Sequence, residues 1–237
     1  MASNTTKEVL HDLSPLVKVY KDGFVERLMD PPNVPPSPET PTTDVASKDI
    51  VISLEVKARL YLPKLTKPTR NSPFYDSARG NIAHNIVLRA GEEPFPGNVK
   101  FLGLLLSHSY FWGSKPIGRE SKEDLNGFAF NVWMCIYPSA PGGIDHRGID
   151  NPMINPFAED TPNLSGLACS WLLVCLAEKD AFTPRGILYA ETVKESGWNG
   201  EMQLVVVDGE VHCFHVYDPH TEKAKNLIKQ LAAFISQ

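Results

Sequence analysis

Along this chain the spacing of apolar residues shifts from strand-like alternation in the first third to alternating helical and strand periods in the rest. In residues 16–28 two β-prone runs flank Asp22-Gly23, a dipeptide suited to the positive φ angles of a tight type I′ turn, and the pattern predicts a hairpin. Six prolines in residues 31–41 exclude helix and central strand and predict an extended surface connection within the domain. Residues 50–54 and 56–62 set apolar and β-branched side chains against Ser53, Lys57 and Arg59, predicting a second pair of strands closed by Pro63. Residues 64–73 are basic and proline-punctuated, with nothing to bury, and read as an exposed loop.

Beyond that loop the order predicts crossover units and a largely parallel sheet. In residues 78–89, Ile82, Ala83, Ile86 and Val87 share one helical face, with Arg89 at the negative end of the dipole and Gly91 placed for a left-handed cap. Residues 99–106 read as a buried strand, 125–137 as an aromatic-rich helix, and 138–162 as a Pro/Gly/Asn-rich excursion long enough to be functional. This excursion carries a small echo, Gly143-Ile144-Asp145 and Gly148-Ile149-Asp150. A second apolar strand at 169–177 precedes a helix at 184–196, with proline in its first turn and Gly197 beyond its end. A third strand at 202–207 is followed by an amphipathic helix at 222–234, striped by Ala224, Leu227, Ile228, Leu231 and Ile235. The fold class expected is α/β: antiparallel N-terminal strands, then a mostly parallel sheet flanked by helices, in one domain over residues 1–237.

Composition narrows the partners. A formal charge of -5 without a basic block argues against nucleic acid, and no apolar run is long enough to span a bilayer. The polar first residues, Met1 to His11, lack the layout of a secretory signal, so a cytoplasmic protein is expected. Cys135, Cys169, Cys175 and Cys213 form no C-x-x-C pair, which suits free thiols and argues against a structural disulfide or zinc site. The sequence implies no cofactor.

Three polar residues stand where chemistry gathers in such folds. Ser77 lies immediately before the 78–89 helix, Asp180 just after the second apolar strand, and His212 on the loop after the third. Each has an ordinary reading taken alone: a helix cap, a solvated turn acid, a hydrogen-bonded structural histidine. Their order is nonetheless that of a strand-end catalytic triad, in which the histidine takes the serine proton and the aspartate holds the histidine's tautomer. His212 and His215 read as one catalytic and one packing residue, since residues three apart on a strand face opposite ways.

The motifs Val17-Lys18-Val19-Tyr20-Lys21-Asp22-Gly23, Ala58-Arg59-Leu60-Tyr61-Leu62-Pro63, Asn81-Ile82-Ala83-His84-Asn85, Phe111-Trp112-Gly113-Ser114-Lys115-Pro116 and Asn151-Pro152-Met153-Ile154-Asn155-Pro156 are colinear with those of plant carboxylesterases. The chain resembles that family of α/β-hydrolases, including its 2-hydroxyisoflavanone dehydratase members, over nearly its whole length. The resemblance implies Ser77 as nucleophile, Asp180 as acid and His212 as base, acting on a small ester or a hydroxylated aromatic substrate.

Two departures accompany it. Between about residues 64 and 75 the family would place its His-Gly-Gly-Gly oxyanion loop and several central strands, and only a short loop stands there. Tyr75 and Arg79 also replace the glycines of the G-x-S-x-G turn. The expectation is therefore a truncated α/β-hydrolase with carboxylesterase chemistry weakened by the deletion. The alternatives are a dehydratase-like lyase, disfavoured because legume dehydratases of this family carry threonine at the nucleophile position, and a non-catalytic ligand-binding relative, disfavoured because receptors of this fold lose the histidine kept here as His212.

Overall fold

The computed structural model describes residues 7–29, 35–37, 45–51, 54, 57–63, 74–93, 95, 97, 100–139 and 147–236. The chain divides into two units, Met1–Thr69 and Arg70–Gln237.

In the first unit, β1 (Val9–Leu13), β2 (Val17–Tyr20) and β3 (Val25–Arg27) form an antiparallel meander in the order β1-β2-β3. The expected hairpin is β2–β3, and β1 is an addition that a five-residue run of three apolar and two polar residues did not announce. Gly23 has φ 82 but Asp22 is not among the positive-φ residues, so the connection is not type I′. The Gly23 amide bonds to the Tyr20 carbonyl, making a turn over Lys21-Asp22 that is finished by a left-handed glycine. The strands β4 (Val45–Val51) and β5 (Lys57–Pro63) pair antiparallel in full register, and Arg59 bonds its cross-strand partner Asp49 through two nitrogens at 2.6 and 3.0 Å. The proline-rich connection predicted at 31–41 and the loop at 64–73 lie largely or wholly outside the described residues.

The second unit is a parallel sheet of four strands, β6 (Phe74–Asp76), β7 (Gly103–Ser107), β8 (Trp171–Ala177) and β9 (Glu201–Val207), in that order. Alternation along the central strands splits its core into two faces. Leu104, Leu106, Leu172, Val174 and Leu176 pack with Ala83, Val87 and Leu88 of α1 (Ala78–Glu92) and Tyr189 and Val193 of α4 (Thr183–Glu195). Leu105, Leu173, Cys175 and Ala177 pack on the other face with Phe214, Leu227, Leu231 and Phe234. Phe214 opens the short helix α5 (Phe214–Tyr217), and the other three lie on α6 (Glu222–Ile235).

Three local expectations are corrected. Helix α1 runs on to Glu92, so Gly91 sits inside it instead of capping it. A Cβ on Gly91 would lie 1.9 Å from the Gly166 carbonyl oxygen, so glycine serves there for close approach. The aromatic-rich helix expected at 125–137 is α3 (Phe128–Ile136), starting three residues later because the short helix α2 (Lys122–Leu125) ends at Asn126-Gly127 before it. Finally, His212 and His215 do not share a strand, because Cys213 at φ 55 starts α5 between them.

The described residues between β7 and β8 are held by buried polar bonds. Arg185, 1 % exposed, donates from Nε and Nη2 to the two carboxylate oxygens of Glu120 at 2.8 and 2.7 Å and to the carbonyl of Lys115, with its guanidinium 4.7 Å from the Trp112 ring. Asp150 accepts from Ser114 and Asn155, and Asn81 and Asn85 of α1 both donate to the Met153 carbonyl. The motif segments around Trp112 and Asn155 therefore fold onto one another and onto α1 and α4. No helix among the described residues is long and apolar enough to cross a membrane.

Candidate active site

Ser77 occupies the turn between β6 and α1 with φ 53 and ψ -120. Few side chain-bearing residues adopt such a backbone, and it persists only when its surroundings over-determine it. Here they do: the Ser77 amide bonds to the Ser107 carbonyl at 2.9 Å, while the Ser77 carbonyl accepts from Tyr110 at 3.1 Å and Gly80 at 3.0 Å. The side chain makes no capping bond, so the ordinary reading of this serine as an N-cap fails. Ala78, the first residue of the helix, is one of those whose amides have no partner inside it.

Asp180 and His212 are brought together. His212 Nδ1 lies 2.7 Å from Asp180 Oδ2, and the other carboxylate oxygen accepts from the Phe182 amide at 3.1 Å. Asp180 is buried at 3 % exposure. Its loop is fixed by the Asp180 amide on the Ala177 carbonyl, by the Lys179 amide on the Glu210 carbonyl, and by Arg119, which donates to the Asp180 carbonyl at 3.1 Å. Burial disfavours the charged His212 ring, but the hydrogen bond to Asp180 and the charges of Asp180 and Asp76 outweigh it, raising its pKa above the ordinary histidine value. The ring is flanked edge-on by Phe182 at 5.4 Å and by His108 at 5.5 Å.

Sequence reasoning missed the groups around this pair. Asp76, next to Ser77, has Oδ1 3.2 Å from His108 Nδ1 and Oδ2 3.5 Å from His215 Nε2. Burial alone would raise the Asp76 pKa, but the His108 hydrogen bond and the charges of His108 and His215 hold it below the usual carboxylate value. His108 carries φ 47 at the end of β7, and its amide bonds to the Cys175 carbonyl. The only sequence signals for this cluster were position after a strand and the His-Cys-Phe-His spacing, which a strand-based reading splits apart. Two surface hollows of about 220 and 320 Å³, one against Phe130 and Ile149 and the other against Phe157 and Leu164, contain none of Ser77, Asp180 and His212.

A profile of the α/β hydrolase fold matches residues 74–216. A 2-hydroxyisoflavanone dehydratase from Glycyrrhiza echinata is 36% identical, with 99% of this chain and 98% of the relative covered. That alignment runs over 327 positions against a chain of 237 residues, so about 90 positions have no counterpart here. Probable carboxylesterase 2 from Arabidopsis thaliana is 27% identical, covering 99% and 98%. Among solved structures, carboxyl esterase 2 from Tuber melanosporum superposes with a TM-score of 0.56 at 17% identity, over 71% of this chain and 54% of that one. The esterase from the archaeon Pyrobaculum calidifontis gives 0.51 at 24% identity, over 70% and 52%. The chain thus spans about half the length of these esterase structures, and the likeness carries the fold. The chain belongs to the α/β-hydrolases, to the plant family that holds carboxylesterases and 2-hydroxyisoflavanone dehydratases, as an internally shortened member.

Proposed function

We propose that the protein is a carboxylesterase-type serine hydrolase of small carboxylic esters, with Ser77, His212 and Asp180 as nucleophile, base and orienting acid. The observation that carries this reading is the backbone of Ser77, held at φ 53 and ψ -120 on a strand-to-helix turn with its hydroxyl free of any capping role. A strained position maintained by the end of β7 and the start of α1 is a feature of functional sites, and a strand-to-helix turn of this kind is where such a nucleophile sits.

In this mechanism Ser77 Oγ attacks the acyl carbon while His212 Nε2 takes its proton. Asp180, hydrogen-bonded to Nδ1, fixes the tautomer and stabilises the imidazolium. The tetrahedral oxyanion takes one hydrogen bond from the Ala78 amide. His212 then gives its proton to the departing alkoxide, and water, activated by the same ring, releases the acid. The missing His-Gly-Gly-Gly loop leaves the second oxyanion position without its usual donor, which slows acyl transfer by roughly 10²–10³.

Hydrolysis of a short-chain p-nitrophenyl ester by the folded, monodisperse protein tests the proposal. Slow turnover that vanishes in Ser77→Ala is expected. Turnover retained in Ser77→Ala, or none in a folded wild type, overturns it. A second reading is supported by the two 36%-identical relatives named 2-hydroxyisoflavanone dehydratase. In that case a 2-hydroxyisoflavanone would be dehydrated faster than the aryl ester is cleaved.

A further inference from the structure

The residues beside the nucleophile and the base converge on a second cluster that the hydrolytic mechanism does not use. Asp76 precedes Ser77, Cys213 follows His212, and His108 lies at the end of β7. One donor atom from each of Asp76, His108 and Cys213 lies within 4.8 Å of the other two. Among the described residues, Asp76 Oδ2, His108 Nε2 and both ring nitrogens of His215 are buried without a hydrogen bond, Asp76 Oδ2 and His215 Nε2 facing each other only at ion-pair distance, 3.5 Å. His108 is 0% and His215 5% exposed, so solvent does not satisfy them. A buried polar group left without a partner destabilises the fold. A purely structural carboxylate-imidazole cluster would be expected to pair these atoms.

The geometry points to a binding site for a borderline divalent transition cation of the zinc(II) type, held by the Asp76 carboxylate, the His108 imidazole and the Cys213 thiolate. A mixed O, N and S donor set selects such ions over magnesium or calcium, which take oxygen ligands. Three protein ligands leave a fourth tetrahedral position open. With bonds of about 2.0–2.3 Å, tetrahedral donors lie roughly 3.3–3.8 Å apart. Closing the cluster by about 1 Å is within reach of small rotations of the Asp76 and Cys213 side chains.

Charge balance fits the assignment. One carboxylate and one thiolate neutralise the dication. Coordination takes the Cys213 sulfur as the thiolate, its proton passing to solvent as the S–M bond forms. His215 Nε2, 3.5 Å from Asp76 Oδ2, braces the carboxylate from behind, as outer partners of metal ligands do. Half-buried Cys213 and the 16% exposed side chain of Asp76 provide the way in.

The test is titration of the reduced, metal-free protein with cobalt(II), read by absorbance. One equivalent should produce a thiolate-to-cobalt charge-transfer band and the intense visible bands of a four-coordinate ion, both bleached by zinc(II). Cys213→Ser should abolish the charge-transfer band. His108→Gln should weaken binding by roughly 10- to 100-fold. Ser77→Ala should leave the spectrum unchanged, which separates this site from the esterase proposal. Absence of a saturable one-equivalent spectrum in the wild-type protein overturns the assignment without reference to any variant. So does a charge-transfer band that survives in Cys213→Ser, because it would place the ion on another thiol.

Discussion

Asp180 and His212 leave the sheet from β8 and β9, two seven-residue strands paired in register along their whole length, whereas Ser77 leaves it from β6, three residues paired only with β7 among the described residues. On the first side the sheet itself positions the chemistry. On the second, the loop after β7 and the start of α1 do so through backbone bonds to Ser77 and the side-chain bonds of Asn81 and Asn85 to Met153. The relatives' alignment runs about 90 positions longer than this chain, a loss expected from the sequence to fall before β6. The sheet thus keeps Asp180 and His212 in register, while loop contacts hold Ser77.

The sharpest way to break this comparison is at its well-supported end. Asp180→Asn should lower kcat by about 10⁴ or to background, because the neutral amide selects the wrong imidazole tautomer. It should also move the NMR titration midpoint of His212 downward, since the Asp180 hydrogen bond and charge are what lift it above the ordinary value. If the midpoint does not fall, the pair is not coupled as its 2.7 Å contact implies.

The next effect concerns the segment connecting β7 to the rest of the site. Arg185 and Glu120 form a buried pair at 1% and 3% side-chain exposure. Removing one charge strands the other, so Glu120→Gln should destabilise the protein by about 3–5 kcal/mol in urea unfolding. A loss below about 1 kcal/mol would mean that the clamp on Gly113 and Lys115 is dispensable.

Much of this arrangement was legible beforehand. The long strands β8 and β9 and the helices α4 and α6 were read because continuous apolar runs and a clean amphipathic stripe each have one physical interpretation. The order Ser77, Asp180, His212 carried the proposed triad. What escaped was set by tertiary contacts. Gly91 looks like a cap until the Gly166 carbonyl stands against it, and three-residue β6 is too short for any periodicity. The Asp76–His108–His215 cluster depends on positive φ at His108 and Cys213, a backbone choice that neither residue type announces. The motifs that carried the family resemblance around Trp112 and Asn155 do structural work here, folding on Arg185 and Asp150.

A smaller, pH-dependent effect separates the helices from the site. His84 on α1 is fully buried, bonded through Nδ1 to the Tyr189 hydroxyl at 2.9 Å, and burial lowers its pKa to about 4. Its folded value lies below the unfolded one, so its contribution is full above pH about 6.5 and is lost as pH falls towards 4, a change of about 3 kcal/mol. His215, lowered mainly by burial, acts in the same direction, while His212, raised, acts in the opposite one. The urea midpoint should fall across this window in wild type, and less steeply in His84→Gln. An equal slope in the two proteins would mean that the His84 ring is not held neutral.

The smallest effect probes the backbone of Ser77, the proposed nucleophile. Holding a non-glycine residue at φ 53 and ψ -120 costs about 1–3 kcal/mol, and glycine removes that cost while adding about 0.5–1 kcal/mol of chain entropy to the unfolded state. Ser77 forfeits no capping bond on replacement. Ser77→Gly should therefore stabilise the protein by roughly 1 kcal/mol, whereas Ser77→Ala keeps a Cβ in the same backbone and should change stability by less than about 0.5 kcal/mol. Both should lose hydrolysis. The stability difference between these two inactive variants isolates the strain from the chemistry: if glycine is no better than alanine, the loops around β6 have relaxed, and Ser77 is not held as a nucleophile must be.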